Sequence, residues 1–242
     1  MNFGKYIAHR GLHGNGIPEN SIPAFKKAIE MGLPIELDVR LTKDAKVIVL
    51  HDKDLKRMCG VDRDALDMTY EEISKLTLAD SDEHIPLFKD VLKLVRGQVP
   101  LLIEIKRGAP VWTLEKRVHN FLKNYNGDYA IQSFDPRQVL WFKIHSPETY
   151  RGLLVTRDHY EDTFENISCK FGGMRFMWRI SSPQFVSCNI RTLTDRDVKH
   201  IKKLGCELFC WTIDSEETLD KAKKVAKTII GEHYPEGFDF SE

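Results

Sequence analysis

Short apolar, β-branched runs alternate along this chain with longer stretches of helical period. That alternation is expected of a parallel sheet whose strands are separated by covering helices. The runs fall at 5–9, 35–39, 101–105, 129–133, 151–155, 185–189, 207–212 and 228–231. Eight strands with interposed helices predict an α/β fold closed into a (β/α)8 barrel.

The helical stretches carry their own start and stop signals. Ser21 precedes a segment whose Ile22, Phe25 and Ile29 share a face, and Gly32 follows its end, so cap, face and terminating glycine agree. Asp135-Pro136, Thr194 and Ser215 open three more helices in the same way. Thr69 and Glu72 have capping-box spacing before a short helix, and 87–96 reads as a helix closed by Gly97. The stretch 158–183 fits no single period around Gly172-Gly173, and a helix with an irregular tail is expected there.

The interval from Val39 to Leu101 is too long for one loop, one helix and a return. An insertion at about 42–95 is therefore expected after the second barrel strand, within a single domain spanning 1–242. Inside it, 47–50 reads as an extra strand that forms a hairpin with the extension of the second strand. The turn falls at Lys43-Asp44-Ala45-Lys46 and delivers His51-Asp52 at the hairpin's end. Loops after barrel strands build the catalytic face, so the insertion belongs to that face.

A length of 242 residues, 42% hydrophobic and 30% charged, allows one large packed unit. Lysine plus arginine equal aspartate plus glutamate at 36 each, so the charge footprint of a nucleic-acid or anionic-membrane binder is missing. Neither nucleic acid nor stable membrane association is expected. The five cysteines include no Cys-x-x-Cys pair, and reduced, buried thiols are expected rather than a disulfide framework or zinc site. The first residues lack an apolar leader and no run is long enough to span a bilayer, so a soluble cytoplasmic protein is expected.

Two strands depart from the apolar rule for buried parallel strands. In Ile35-Glu36-Leu37-Asp38-Val39 the carboxylates share one face, and in Ile103-Glu104-Ile105-Lys106 Glu104 and Lys106 do the same. Three carboxylates thus aim into one barrel mouth, where unpaired burial costs several kcal/mol per ion. An all-oxygen ligand set suits one divalent cation, Mg²⁺ or Ca²⁺, better than zinc. The other reading of the same residues is an ion-pair network of Glu36, Asp38 and Glu104 with Arg10 and Lys106. His9-Arg10-Gly11 ends the first strand, and the planar fork of Arg10 with the point charge of Lys106 suits a phosphoryl group. His9 and His51, on opposite sides of a scissile phosphodiester, can divide acceptance and donation of a proton between them.

These residues stand in a longer ordered set. His9-Arg10-Gly11 is followed by Pro18-Glu19-Asn20-Ser21, Glu36-x-Asp38-Val39, Thr42-Lys43-Asp44, His51-Asp52 and Leu55-x-Arg57. Ile85-Pro86, Ile103-Glu104-Ile105-Lys106, Gln132-Ser133-Phe134 and Trp211-Thr212-Ile213-Asp214 come after. The chain so read resembles the glycerophosphodiester phosphodiesterase family over nearly its whole length. The resemblance implies a TIM barrel with a small insertion that hydrolyses glycerophosphodiesters to glycerol phosphate and an alcohol. It implies a divalent cation on Glu36, Asp38 and Glu104, acid/base roles for His9 and His51, phosphate contacts from Arg10 and Lys106, and Glu19 and Trp211 near the substrate. Asn20 is read as a helix-capping residue only. Ala45 stands where the family turns through glycine, and a different hairpin turn is expected. The last strand runs into Glu232-His233-Tyr234-Pro235 rather than the family's Thr-Asp-x-Pro. Alternative activities are a phospholipase C or D acting on lysophospholipids or phosphoinositides, and a barrel that binds glycerophosphodiesters without turnover.

Overall fold

The structure, a computed structural model, describes residues 1–157, 178, 180–232, 234 and 238–240. The chain packs as two compact units, one of residues 8–129 and one of residues 1–7 with 130–242.

The first unit begins at Ala8, the last residue of strand β1 (Tyr6–Ala8), which pairs in parallel with Ile35 of β2 (Ile35–Leu41). Helix α1 (Ile22–Glu30) joins them; the Ser21 hydroxyl accepts from the Ala24 N–H, and Ala24, Phe25 and Ala28 are buried along one face. Past the barrel, β2 folds back on β3 (Val47–Val49) in antiparallel register, Val39 opposite Val49 and Leu41 opposite Val47. The predicted hairpin is therefore present. Its turn, however, keeps the glycine-type geometry, because Ala45 adopts the left-handed conformation at φ 58° and its N–H donates to Thr42 O at 2.9 Å.

After the hairpin come β4 (Asp54–Leu55), α2 (Lys56–Cys59), β5 (Val61–Asp64), a short 3₁₀ turn at Ala65–Asp67, and α3 (Tyr70–Ile73), all within the expected 42–95 segment. Thr69 and Glu72 form the expected capping box of α3. The segment builds a small core of its own from Ile48, Leu50, Leu55, Met58, Ile73 and Ile85, which explains how so long a loop holds one shape. Helix α4 (Phe88–Val95) buries Phe88, Val91, Leu92 and Val95, the spacing of a single apolar stripe. It ends where Arg96 and Gly97 turn left-handed at φ 47° and 76°. Strand β6 (Leu101–Ile105) then lies parallel to β2 with Asp38 opposite Glu104, and α5 (Thr113–Leu122) follows.

The second unit repeats the strand–helix alternation. Its elements are β7 (Tyr129–Ser133), α6 (Pro136–His145), β8 (Tyr150–Val155), β9 (Phe185–Asn189), α7 (Asp195–Lys203), β10 (Glu207–Ile213), α8 (Glu216–Val225) and β11 (Thr228–Gly231). Asp135, Thr194 and Ser215 cap α6, α7 and α8 as expected. The Phe185 ring stacks on Phe209 at 4.4 Å and on Tyr150 at 5.2 Å. Gly152 makes room for it, since a Cβ there would lie 2.1 Å from that ring.

The main sheet has the order β1-β11-β10-β9-β8-β7-β6-β2-β3 with a further β1–β2 pairing, so eight parallel strands close and the fold is a (β/α)8 barrel. The expected helix over 158–183 and Cys169 lie largely or wholly outside the described residues. Among those described, Cys188 and Cys210 are free and buried, whereas Cys59 and Cys206 are free and only half-buried. No described helix is long and apolar enough to cross a membrane.

Candidate active site

The alternation of β2 and β6 puts Glu36, Asp38 and Glu104 on one side, where one oxygen from each lies within 4.8 Å of the others. All three carboxylates are buried, as is Lys106. The Lys106 Nζ sits 3.0 Å from Asp38 Oδ1 and 2.6 Å from Glu104 Oε1. Arg10 Nε lies 3.5 Å from Asp38 Oδ2. The ion-pair network foreseen as the alternative to a metal thus exists for two of the carboxylates. Glu36 stands aside from the lysine, accepting the Arg10 backbone N–H at 3.0 Å and lying 3.8 Å from His9 Nε2.

The electrostatics follow from this unequal sharing. Burial, with Asp38 and Glu104 as like charges beside it, pushes the Glu36 carboxyl well above the usual carboxylate range. Burial acts the same way on Asp38, but Lys106, His51, Arg10 and His9 outweigh it and hold that carboxyl well below the usual range. Glu104 is pushed up to about 6, mainly by burial and then by Asp38, against the pull of Lys106. With all three ionised, the carboxylates would outnumber the neighbouring cations Lys106 and Arg10, the imbalance that raises Glu36. A hard divalent ion fits these buried oxygen donors and removes that imbalance, so the residues suit such a group.

Gly11 shapes the backbone beside them. It sits at φ 78°, and a Cβ there would lie 2.9 Å from Ala24 Cβ and 3.0 Å from its backbone, so the chain turns tightly against α1. Arg10 is itself left-handed at φ 53°. Its Nη1 donates to Glu19 Oε1 at 2.8 Å, which places the predicted Glu19 on Arg10.

His51 arrives from the hairpin with its backbone carbonyl held by Arg40, whose Nε and Nη2 donate to it at 2.9 and 2.7 Å. Its Nδ1 lies 2.7 Å from Asp52 Oδ1. Burial and the nearby Lys106 charge lower its imidazole to about 4, more than Asp38 and Asp52 raise it. His9 and His51 both contribute charge that favours the ionised Asp38 carboxyl. Trp211 belongs to the other unit, on β10, with its ring edge-to-face with Phe134 at 5.7 Å.

Three residues with a hand in the site carry no role in the sequence reading. Asn20 donates from Nδ2 to Asp38 Oδ2 at 2.8 Å and its Oδ1 accepts the Asp38 backbone N–H at 3.3 Å, so it orients a carboxylate instead of capping α1, whose cap is Ser21. Arg40 and Arg57 hold backbone and side-chain oxygens of the His51-Asp52 pair. The signal for Asn20 and Arg57 lay in the motifs Pro18-Glu19-Asn20-Ser21 and Leu55-x-Arg57; for Arg40 it was a charge at the next alternate position after Glu36 and Asp38 on the same strand.

The profile of the glycerophosphoryl diester phosphodiesterase family matches residues 9–236. A glycerophosphodiester phosphodiesterase of Caldanaerobacter subterraneus is 31% identical over 229 residues, covering 90% of this chain and 89% of its own. A lysophospholipase D of Homo sapiens is 36% identical, covering 96% of this chain and 83% of its own. A phosphodiesterase of Oleispira antarctica, solved with its product sn-glycerol-3-phosphate, is 19% identical and shares the fold at a TM-score of 0.82, covering 95% of this chain and 93% of its own. The chain belongs to the glycerophosphoryl diester phosphodiesterase family and is a phosphoric diester hydrolase.

Proposed function

We propose that this chain hydrolyses glycerophosphodiesters to glycerol phosphate and an alcohol with one Mg²⁺ or Ca²⁺ held by Glu36, Asp38 and Glu104, and with His9 and His51 as the acid/base pair. The observation that carries this reading is the set of three buried carboxylates with one oxygen of each within 4.8 Å of the others, with Lys106 2.6 Å from Glu104 and His9 3.8 Å from Glu36. When bound, the cation supplies polarisation of the phosphoryl group and neutralises charge that develops on it.

The protein's own groups do the rest. Arg10 spends Nη1 on Glu19 and points Nε at Asp38, keeping Nη2 for a phosphoryl oxygen. Lys106 adds a second cation at the same oxygens. His51, neutral at neutral pH and with Nδ1 turned to Asp52, uses Nε2 to accept the proton of the attacking hydroxyl. His9 protonates the departing alcohol. Glu19 orients Arg10 against the substrate, and Trp211 forms an apolar wall for the glycerol.

Release of glycerol phosphate from soluble glycerophosphodiesters, measured with chelator and with added Mg²⁺ or Ca²⁺, tests the reading. No release with either metal would sink it, and full release under chelation would remove the cation. Phosphorus NMR during turnover separates attack by water from attack by a glycerol hydroxyl, which passes through a cyclic phosphate. The 36% identity to a lysophospholipase D favours a second substrate class, the lysophospholipids, in which the same bond is cut on an acylated glycerol. Comparing glycerophosphocholine with micellar lysophosphatidylcholine decides between them.

A further inference from the structure

One arginine of the insertion is tied to both loops that carry the proposed acid/base histidines. Arg57 stands on α2, with its side chain 49% exposed. Its Nε donates to Asp52 Oδ2 at 2.5 Å, while Nη1 and Nη2 donate to Glu19 Oε2 and Oε1 at 3.0 and 2.7 Å. The other oxygen of Asp52 faces His51 Nδ1 at 2.7 Å, and Glu19 Oε1 also accepts from Arg10, the residue next to His9. The links His51, Asp52, Arg57, Glu19 and Arg10 therefore form an unbroken chain from one histidine's loop to the other's.

The geometry has a specific consequence. Asp52 pointed at His51 by one oxygen alone can rotate about its own χ angles, and the imidazole can then exchange tautomers. With its second oxygen held by a guanidinium whose other edge is clamped by Glu19, the carboxylate is fixed from both sides. Half-exposed ion pairs contribute little to stability, so the value of such a fork lies in orientation.

We propose that Arg57 is a positioning residue for diester hydrolysis: it locks Asp52 so that His51 carries its proton on Nδ1 and presents Nε2, and through Glu19 it ties that setting to Arg10. This rests on the reading of His51 as a catalytic residue. A lysine cannot reproduce the role, because its ammonium is a point charge that cannot span both carboxylates with the arginine's planar fork.

The test uses the full chain with Mg²⁺ and glycerophosphocholine, comparing Arg57→Gln, Arg57→Lys, Asp52→Asn and His51→Ala. Arg57→Gln is expected to lower kcat by roughly 10- to 100-fold with KM unchanged, the scale of a small misplacement of a reacting group. Arg57→Lys should recover only a minor part. Histidine ¹⁵N NMR should show a single Nδ1–H tautomer for His51 in the parent, and mixed tautomers in Arg57→Gln as in Asp52→Asn. Parent-like kcat and tautomer in Arg57→Gln would overturn the proposal, and full activity in Arg57→Lys would reduce the residue to a surface charge and overturn it as well. Should Arg57→Gln not fold, Arg57→Lys alone still decides, by the same tautomer and kcat readings. If His51→Ala keeps its turnover, the catalytic reading of His51 has failed instead, which is a separate outcome.

Discussion

Asp38 and Glu104 stand opposite one another on adjacent parallel strands and share the Lys106 ammonium, at 3.0 and 2.6 Å. Removing one partner of a buried charged set leaves the others uncompensated, at a cost of about 3–5 kcal/mol. Lys106→Met is therefore expected to destabilise the metal-free protein by roughly that amount. Added Mg²⁺ or Ca²⁺ should restore much of the loss while turnover stays low. Urea unfolding with and without cation measures this, and an identical loss in both conditions would contradict a metal on the triad.

Protons and metal compete for the same oxygens. Glu36 is raised well above the carboxylate range and Glu104 to about 6, chiefly by burial, so in the metal-free protein Glu104 takes up a proton as pH falls through about 6, and Glu36 too holds its proton above the ordinary carboxylate range. A protonated carboxyl is a poor ligand, so affinity is expected to weaken about tenfold per pH unit below 6 for each proton displaced. Calorimetry in buffers of different ionisation enthalpy reads the released protons directly. Binding without proton release, and with a flat pH dependence from 5 to 7, would be the contrary result.

The two histidines are separable experimentally. His9→Ala and His51→Ala should each reduce kcat by about 10²- to 10⁴-fold with the fold retained, the usual range for a general acid or base. In the metal-free parent, an NMR titration should find His51 protonating near 4, because burial and Lys106 both oppose its cation. The ring would then stay neutral across the range from 5 to 8, and a midpoint near the ordinary 6.5 would show that Lys106 and burial do not act on it.

Ala45 carries a positive φ of 58° at the hairpin turn that leads to His51. An L-residue pays about 1–2 kcal/mol for this conformation, and glycine does not. Ala45→Gly should therefore raise stability by ~1 kcal/mol after the entropy lost to the more flexible unfolded chain, with turnover unchanged. Denaturant midpoints at constant slope check it, and a loss of stability would count against the strain.

Much of the barrel was legible in local pattern. Strand β6, β7, β9 and β11 fall on the runs read from the sequence, and Ser21, Thr69, Asp135, Thr194 and Ser215 all cap where their spacing said. Caps and strands are short-range features, set by residues a few positions apart. Helix α5 had no such signal, because Trp112 precedes it at φ 72° with no side-chain cap bond. The paired strands β4 and β5 were illegible too, being too short to show a period and stabilised by the insertion's own small core.

For the site, the sequence by itself determined that Glu36 and Asp38 share one face and that Glu104 and Lys106 share another, since strand alternation follows from backbone geometry alone. Only the tertiary structure decided that the two faces meet, through the β2–β6 register that sets Asp38 against Glu104. It also decided that Asn20 holds Asp38 and that Arg57 joins Asp52 to Glu19. Those partners lie 18 and 38 residues apart in two of these contacts, and no local period reports a contact made by folding loops together.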